Sequence, residues 1–250
     1  MTEPILLPDE HIDEVNDHIR LIQKSRALAF GTDAFLLSAF LRPAPRAHAV
    51  ELGCGNGIIS LLAMTRGRFS RITALEIQPE MAELSMRNVT LNSLDARITV
   101  KQGDVRRLRP AELGGEVEVA FANPPYMRED SGFASQSQSK QTARHETEGG
   151  IAEFAAAAGR CLKYGGLFYV VYRPDRLESL FAALSEAHLA PKRMIFVHDH
   201  PNAAPSMVLL EAKKGAGEGL VIAPPLFLHD HPGQAELSKR AQEIYDNGTF

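Results

Sequence analysis

The chain has 250 residues, 44% of them apolar, with 31 Asp and Glu against 27 Lys and Arg for a net charge of -4. That length buries a sizeable core as one large α/β domain or a domain plus a small appendage. The acidic balance excludes a general attraction to nucleic acid, so any RNA contact must come from local basic patches.

Cys54 and Cys161 lie too far apart to suggest a disulfide framework or a zinc site, which favours a reducing cytosol. No charged-then-apolar leader and no membrane-length apolar run is present, so a cytoplasmic protein without membrane attachment is expected. Residues 1–17 are acidic and aperiodic and read as a loosely held leader. Residues 20–30 read as two short strands with a polar break. Gly31-Thr32-Asp33 precedes an apolar helix over 34–41, for which Thr32 or Asp33 supplies an N-cap. Asp33 is either that cap or a contact to a cofactor over which the segment folds.

Residues 48–52 form a short strand that runs into Gly53-Cys54-Gly55-Asn56-Gly57 and then a helix over 58–64. Strand, glycine turn and helix in that order make the first unit of a nucleotide-binding βαβ fold. The glycines allow a ligand close to the backbone. Their spacing is Glu-x-Gly-x-Gly-x-Gly from Glu51, not the dinucleotide pattern G-x-G-x-x-G. A second strand over 71–75 ends in Glu76 and Ile77, about twenty residues beyond the glycines, where an acidic side chain takes ribose hydroxyls. Pro79 opens a helix running to Asn92. Residues 98–100 are a third strand leading to Gly103-Asp104-Val105, with Arg106, Arg107 and Arg109 directly after.

The fourth strand, 117–122, has the unbroken apolar character of a buried parallel strand and ends in Asn123-Pro124-Pro125-Tyr126. Open α/β sheets bind ligands at that end. The two prolines stiffen the backbone and remove two donors, leaving carbonyls beside the Asn123 amide. Acceptors next to an aromatic ring suit a planar group bearing an NH2. The alternative is a rigid turn. Residues 127–150 are polar and read as a lid or a partly disordered loop, in which Arg144 and His145 either grip substrate or belong to a solvated charge cluster.

An alanine-rich helix over 151–162 ends near Gly165-Gly166. Strands at 167–171, 193–197 and 207–212 and a helix at 177–189 follow. The expected class is α/β, Rossmann-like, with a mostly parallel seven-stranded sheet and helices on both faces. The expected units are a leader and hairpin over 1–30, a main domain over 31–215 and an extension over 216–250, with an extended segment at 221–228 and a helix at 235–245. His-Asp-His-Pro occurs at 198–201 and again at 229–232. His-x-His on a strand presents two imidazoles to one side, but both copies lie at loop edges and no metal is expected.

Taken together, Gly31 to Leu37, Glu51 to Ile59, Leu75-Glu76-Ile77-Gln78, Asn123 to Tyr126, Ala143-Arg144-His145-Glu146 and Pro224-Pro225-Leu226-Phe227 carry a resemblance. The chain resembles class I S-adenosylmethionine-dependent methyltransferases of amino groups and, more narrowly, the bacterial valine-tRNA adenine-N6 methyltransferase family, over nearly everything from Arg20 onward. The resemblance implies S-adenosyl-L-methionine as cofactor, held by Asp33, Glu51, Gly53, Cys54, Gly55, Gly57, Glu76, Ile77, Asp104, Val105 and Asn123. Asp104 would meet the adenine amine, and a backbone amide the ring. It implies Asn123, Pro124, Pro125 and Tyr126 as the catalytic corner, Tyr126, Arg144 and His145 as substrate contacts, and a tRNA partner.

Candidate phosphate contacts are Arg106, Arg107, Arg109, Lys140, Arg144, Lys192 and Arg193. Asn-Pro-Pro-Tyr is shared with glutamine-N5 methyltransferases of release factors and with guanine-N2 methyltransferases of ribosomal RNA. The former usually carry an N-terminal helical substrate domain, and about fifty residues precede Glu51 here. A non-catalytic binder that keeps the fold is a third reading. Oligomeric state is not indicated.

Overall fold

A computed structural model describes residues 6–24, 31–125 and 150–250. The chain opens with a hairpin, β1 (Glu10–Asn16) and β2 (Ile19–Lys24). The first βα units follow as α1 (Thr32–Phe40), β3 (Ala44–Leu52), α2 (Ile58–Thr65), β4 (Phe69–Glu76), α3 (Pro79–Leu91) and β5 (Ile98–Gln102). Then come β6 (Val117–Ala122), α4 (Ile151–Cys161), β7 (Leu162–Tyr172), α5 (Leu177–Glu186), β8 (Leu189–His198) and β9 (Pro205–Lys214). The chain closes with β10 (Val221–Ile222), β11 (Leu226–Phe227) and α6 (Lys239–Asn247).

The main sheet runs in the order β10-β8-β9-β7-β6-β3-β4-β5, with β11 also on β8. It is parallel except for β9, which pairs antiparallel with both β7 and β8. The expected mostly parallel α/β sheet is therefore present, but among the described residues it has nine strands rather than seven. The two additions are two-residue strands laid parallel along β8. Pro224 and Pro225 have no N–H to give a ladder and split the anticipated extended segment into these pieces.

Alternate residues of each central strand feed the two faces of the sheet. On β6, Val119 and Phe121 join the core that holds α1, α2 and α6, while Ala120 and Ala122 join the core that holds α4 and α5. Burial on both faces explains why β6 reads as an uninterrupted apolar run.

The N-terminal stretch departs from expectation. The first strand lies at Glu10–Asn16, inside the segment read as a leader, and residues 25–30 lie outside the described residues. Buried Ile19, Leu21 and Ile22 fix β2 against the core, and β1 pairs with it. The other edge of β2 meets α3, where Asn88 Oδ1 accepts from Ile22 N at 2.7 Å and Asn92 Oδ1 from Arg20 N at 3.0 Å. Their amide groups donate back to the carbonyls of Ile22 and Arg20. Two asparagines four apart on one helix face thus stand in for a strand and cover an edge that would otherwise be exposed.

The C-terminal segment closes the α1 side. Ser238 caps α6 by accepting from Ala241 N. Tyr245 stacks on Phe35 with ring centroids 4.0 Å apart, Phe250 meets Phe40 edge-on at 5.6 Å, and Arg68 donates to the Gly248 carbonyl. No helix among the described residues is long and apolar enough to cross a membrane.

Candidate active site

Three parallel strands finish level with one another. Leu52 of β3 is in register with Leu75 of β4 on one side and with Ala122 of β6 on the other. Gly53, Glu76 and Asn123 therefore leave the sheet at one height. The chain steps from β3 to β4 and β5 and then returns to β6, so this edge is the switch point where open α/β sheets hold ligands.

The glycine turn is tied down by backbone bonds. Gly53 N and Cys54 N both donate to Leu75 O, at 2.8 and 2.9 Å. Gly55, with φ of 54°, donates to Glu76 Oε2 at 2.8 Å, and Gln78 N donates to Glu76 Oε1 at 2.9 Å. Glu76 is only 6% exposed, and a carboxylate oxygen can accept more than one hydrogen bond. A β-carbon on Gly55 would meet no atom within 4 Å, so the backbone there borders open space.

A cleft of about 200 Å³ brings together Gly53, Gly55, Glu76, Ile77, Val105, Asn123 and Pro125. Its open glycine backbone, buried Glu76 carboxylate and apolar Ile77 and Val105 fit a nucleoside joined to a polar chain.

The remaining anticipated residues sit elsewhere. Glu51 is fully buried behind the turn and accepts from Ser60 N at 3.2 Å and from the Ser60 hydroxyl. Burial pushes its carboxyl up to about 8, so it is protonated at neutral pH and steadies the start of α2. Cys54 is buried with Sγ 3.6 Å from Ser85 Oγ, and burial raises its thiol far from reactivity. Gly57 is the left-handed N-cap of α2, and a β-carbon there would lie 2.5 Å from Ser85 Oγ. Asp104 is held by Arg106 at 2.7 Å, which keeps its carboxyl below the usual range. Pro124 is buried. Tyr126, Lys140, Arg144 and His145 lie outside the described residues.

Asp33 is neither a simple cap nor a lining residue of this cleft. Its Oδ1 accepts from Ala34 N at 2.9 Å, and its Oδ2 accepts from Asn123 Nδ2 at 2.8 Å. Asp33 also borders a second cavity of about 550 Å³ with Thr32, Tyr172, Arg173, Asp175 and Ser206. The two cavities thus meet across the Asp33–Asn123 bond.

Sequence reasoning missed Phe154 and Gln78, which also line the cleft. Phe154 comes from the first turn of α4 and lies 3.1 Å from where a Gly53 β-carbon would stand. An aromatic residue just after the long polar stretch was the available signal.

Among the basic residues, Lys192 donates to the carbonyls of Gly217 and Glu218, and Arg193 donates to Phe40 O at 2.7 Å. Both lie near the start of β8, whereas the cleft opens at the strands' carboxyl ends. The repeated His-Asp-His-Pro copies come side by side because β11 pairs with β8. His198 Nδ1 lies 2.8 Å from Ala203 O and His229 Nδ1 2.9 Å from Glu236 O, so each ring secures its own turn.

Residues 25–188 match the family model for the methyltransferase small domain. A tRNA1(Val) (adenine(37)-N6)-methyltransferase of Phocaeicola vulgatus is 27% identical over 221 residues, 88% of this chain and 92% of that protein. The enzyme of that description from Bacteroides fragilis (strain YCH46) is 30% identical over 184 residues, 74% and 76% of the two chains. A solved structure from Agrobacterium tumefaciens, described as a predicted O-methyltransferase, has a TM-score of 0.70 at 21% identity, covering 87% of this chain and 97% of that one. That last likeness is one of fold alone.

Proposed function

The chain belongs to the methyltransferase small-domain family and uses S-adenosyl-L-methionine, and from that premise we propose that it methylates the exocyclic N6 amine of an adenine in tRNA, the adenine beside the anticodon of a valine tRNA. The observation that carries this reading is the Asn123 amide at the end of β6, level with the glycine turn and held through its nitrogen by Asp33. In this reading the oxygen at the other end of the amide accepts an amine hydrogen of the acceptor.

Bound S-adenosyl-L-methionine supplies an electrophilic methyl on a sulfonium. An exocyclic adenine amine is a weak nucleophile because its lone pair is shared with the ring. Asn123 Oδ1 and the Pro124 carbonyl would accept hydrogen bonds from its two N–H groups and turn the lone pair towards the methyl donor. Transfer would leave the sulfur with the electron pair of its former bond to the methyl group, and the methylated amine, held by these acceptors, would lose its extra proton to water. No strong base is required beforehand, since the nitrogen becomes acidic only once methylated. Alignment of this kind contributes up to about 7–11 kcal/mol in favourable cases. The cavity beyond Asp33 gives the acceptor nucleoside room, and an anticodon loop offers an adenine that is already unpaired. Tyr126, Arg144 and His145 are proposed to contact it.

The reading takes residues 31–215 as the catalytic domain and 216–250 as an extension packed upon it, in a cytoplasmic enzyme. The test is transfer of labelled methyl from S-adenosyl-L-methionine to separated total RNA and total protein. Label is expected in tRNA as N6-methyladenosine, which should also disappear from the tRNA of a strain lacking the gene. Label on a release-factor glutamine, or on guanine of ribosomal RNA, would replace this reading with the corresponding alternative.

A further inference from the structure

We propose that Asp33 is a positioning residue that sets which way round the Asn123 amide sits, and that α6 holds Asp33 in place to do so. The inference deepens the proposed function and rests on it for the identity of the acceptor.

A carboxylate accepts hydrogen bonds and donates none, so the 2.8 Å contact at Asp33 Oδ2 must be made by the NH2 end of Asn123. With Asp33 in place, Oδ1 is the end directed away from it. Reversed, the amide would set an oxygen against a carboxylate and present NH2 hydrogens to an acceptor amine that itself has only hydrogens to offer. Both faults are repulsive. The contact is also charge-assisted, which polarises the amide and makes Oδ1 a better acceptor as positive charge grows on the methylated nitrogen.

Asp33 is itself well fixed. Its other oxygen accepts from Ala34 N, and it sits in the first turn of α1. The same turn is clamped from the far end of the chain, where Tyr245 stacks on Phe35 with ring centroids 4.0 Å apart. The Arg66 guanidinium lies 4.4 Å from the Phe35 ring centre. A short apolar helix start that would fray by itself is thereby held against the end of β6.

The experiment combines a double-mutant cycle with an acceptor-free readout. Asp33→Ala is expected to lower kcat roughly tenfold to a hundredfold, the range for losing one charge-assisted hydrogen bond, with KM and the dissociation constant for S-adenosyl-L-methionine within about twofold of wild type. In an Asn123→Ala background the same change should cost nothing further, because the group it acts through is gone. Asp33→Asn, which keeps the volume and one acceptor, should fall between wild type and Asp33→Ala and serves if the alanine variant folds poorly.

Independently of any acceptor, the side-chain amide of Asn123 should give a shifted and exchange-protected 15N–1H signal, identified by its loss in Asn123→Ala. That signal should revert to an ordinary position in Asp33→Ala. An unchanged signal, an equal proportional loss of kcat in both backgrounds, or a parallel loss of cofactor affinity would overturn the proposal. If wild type methylates protein instead of RNA, the cycle runs on that acceptor and the proposed function alone is withdrawn. If nothing is methylated, the amide signal decides.

Discussion

The cleft proposed for the methyl donor (the donor cleft) and the cavity proposed for the acceptor (the acceptor side) meet at the Asp33–Asn123 bond, yet they are built on different plans. The donor cleft draws Gly53, Gly55, Glu76 and Val105 from one stretch of consecutive βα units, and backbone bonds tie it together. The acceptor side gathers Asp33, Asn123, Tyr172 and Ser206 from across the chain, with Tyr245 behind them, and relies on side chains. A site made of neighbours can be recognised as a motif. A site made of distant residues exists only once the sheet has closed.

That contrast can be broken at four points. The largest effect is expected at the seam. Asn123→Ala should reduce methyl transfer by roughly 10²–10³-fold while leaving the cofactor dissociation constant within about twofold, since nothing on the donor side depends on that amide. Calorimetric titration alongside turnover checks it, and a matching loss of binding would show that the two sides are not separable.

Glu76→Ala should do the opposite. It removes the acceptor proposed for two hydroxyls together with the restraints on Gly55 and Gln78, so cofactor affinity should fall roughly tenfold to a hundredfold. Turnover at saturating cofactor should be much less affected.

Gly57→Ala tests whether the third glycine is structural. At a φ of 85° an alanine costs about 1–2 kcal/mol, and its methyl would also press on Ser85 Oγ. The expected fall in Tm is several degrees, partly recovered by Ser85→Ala. A stable variant with poor cofactor binding would return Gly57 to the ligand.

The fourth effect, on stability alone, is a pH dependence from Glu51. Its folded carboxyl titrates at about 8 against an unfolded value of 4.5, so the folded state holds the proton more tightly. This contribution to stability is complete below pH 4.5, is lost progressively as pH rises to about 8, and is constant above that. Glu51→Gln should therefore flatten the slope of Tm between pH 5 and 8 and gain most over wild type at the upper end. Parallel slopes for the two proteins would show that the carboxyl is ionised in the folded state.

The same contrast governs what could be read from the chain before folding. Strand, glycine turn and helix at 48–64, the acidic Glu76 and the strand that ends at Asn123 were all legible because each is local. Glu51, Cys54 and Gly57 belong to the motif but face the interior, a distinction that spacing does not encode. The pairing of Asp33 with Asn123 spans 90 positions, and no local pattern announces it. The hairpin strand at Glu10–Asn16 was hidden for another reason: its acidic face is polar enough to read as a tail, and it pairs with β2, whose other edge is held by asparagines of α3.

One more consequence follows from Tyr245 lying over Phe35 and from Arg68 reaching Gly248 across 180 positions. During synthesis on the ribosome, β3, α2 and β4 can assemble early, whereas the cover over α1 emerges last. A polypeptide ending before α6 would keep every residue of the cleft beside Gly53 and Gly55 and lose the ring that Tyr245 lays over Phe35, two residues from Asp33.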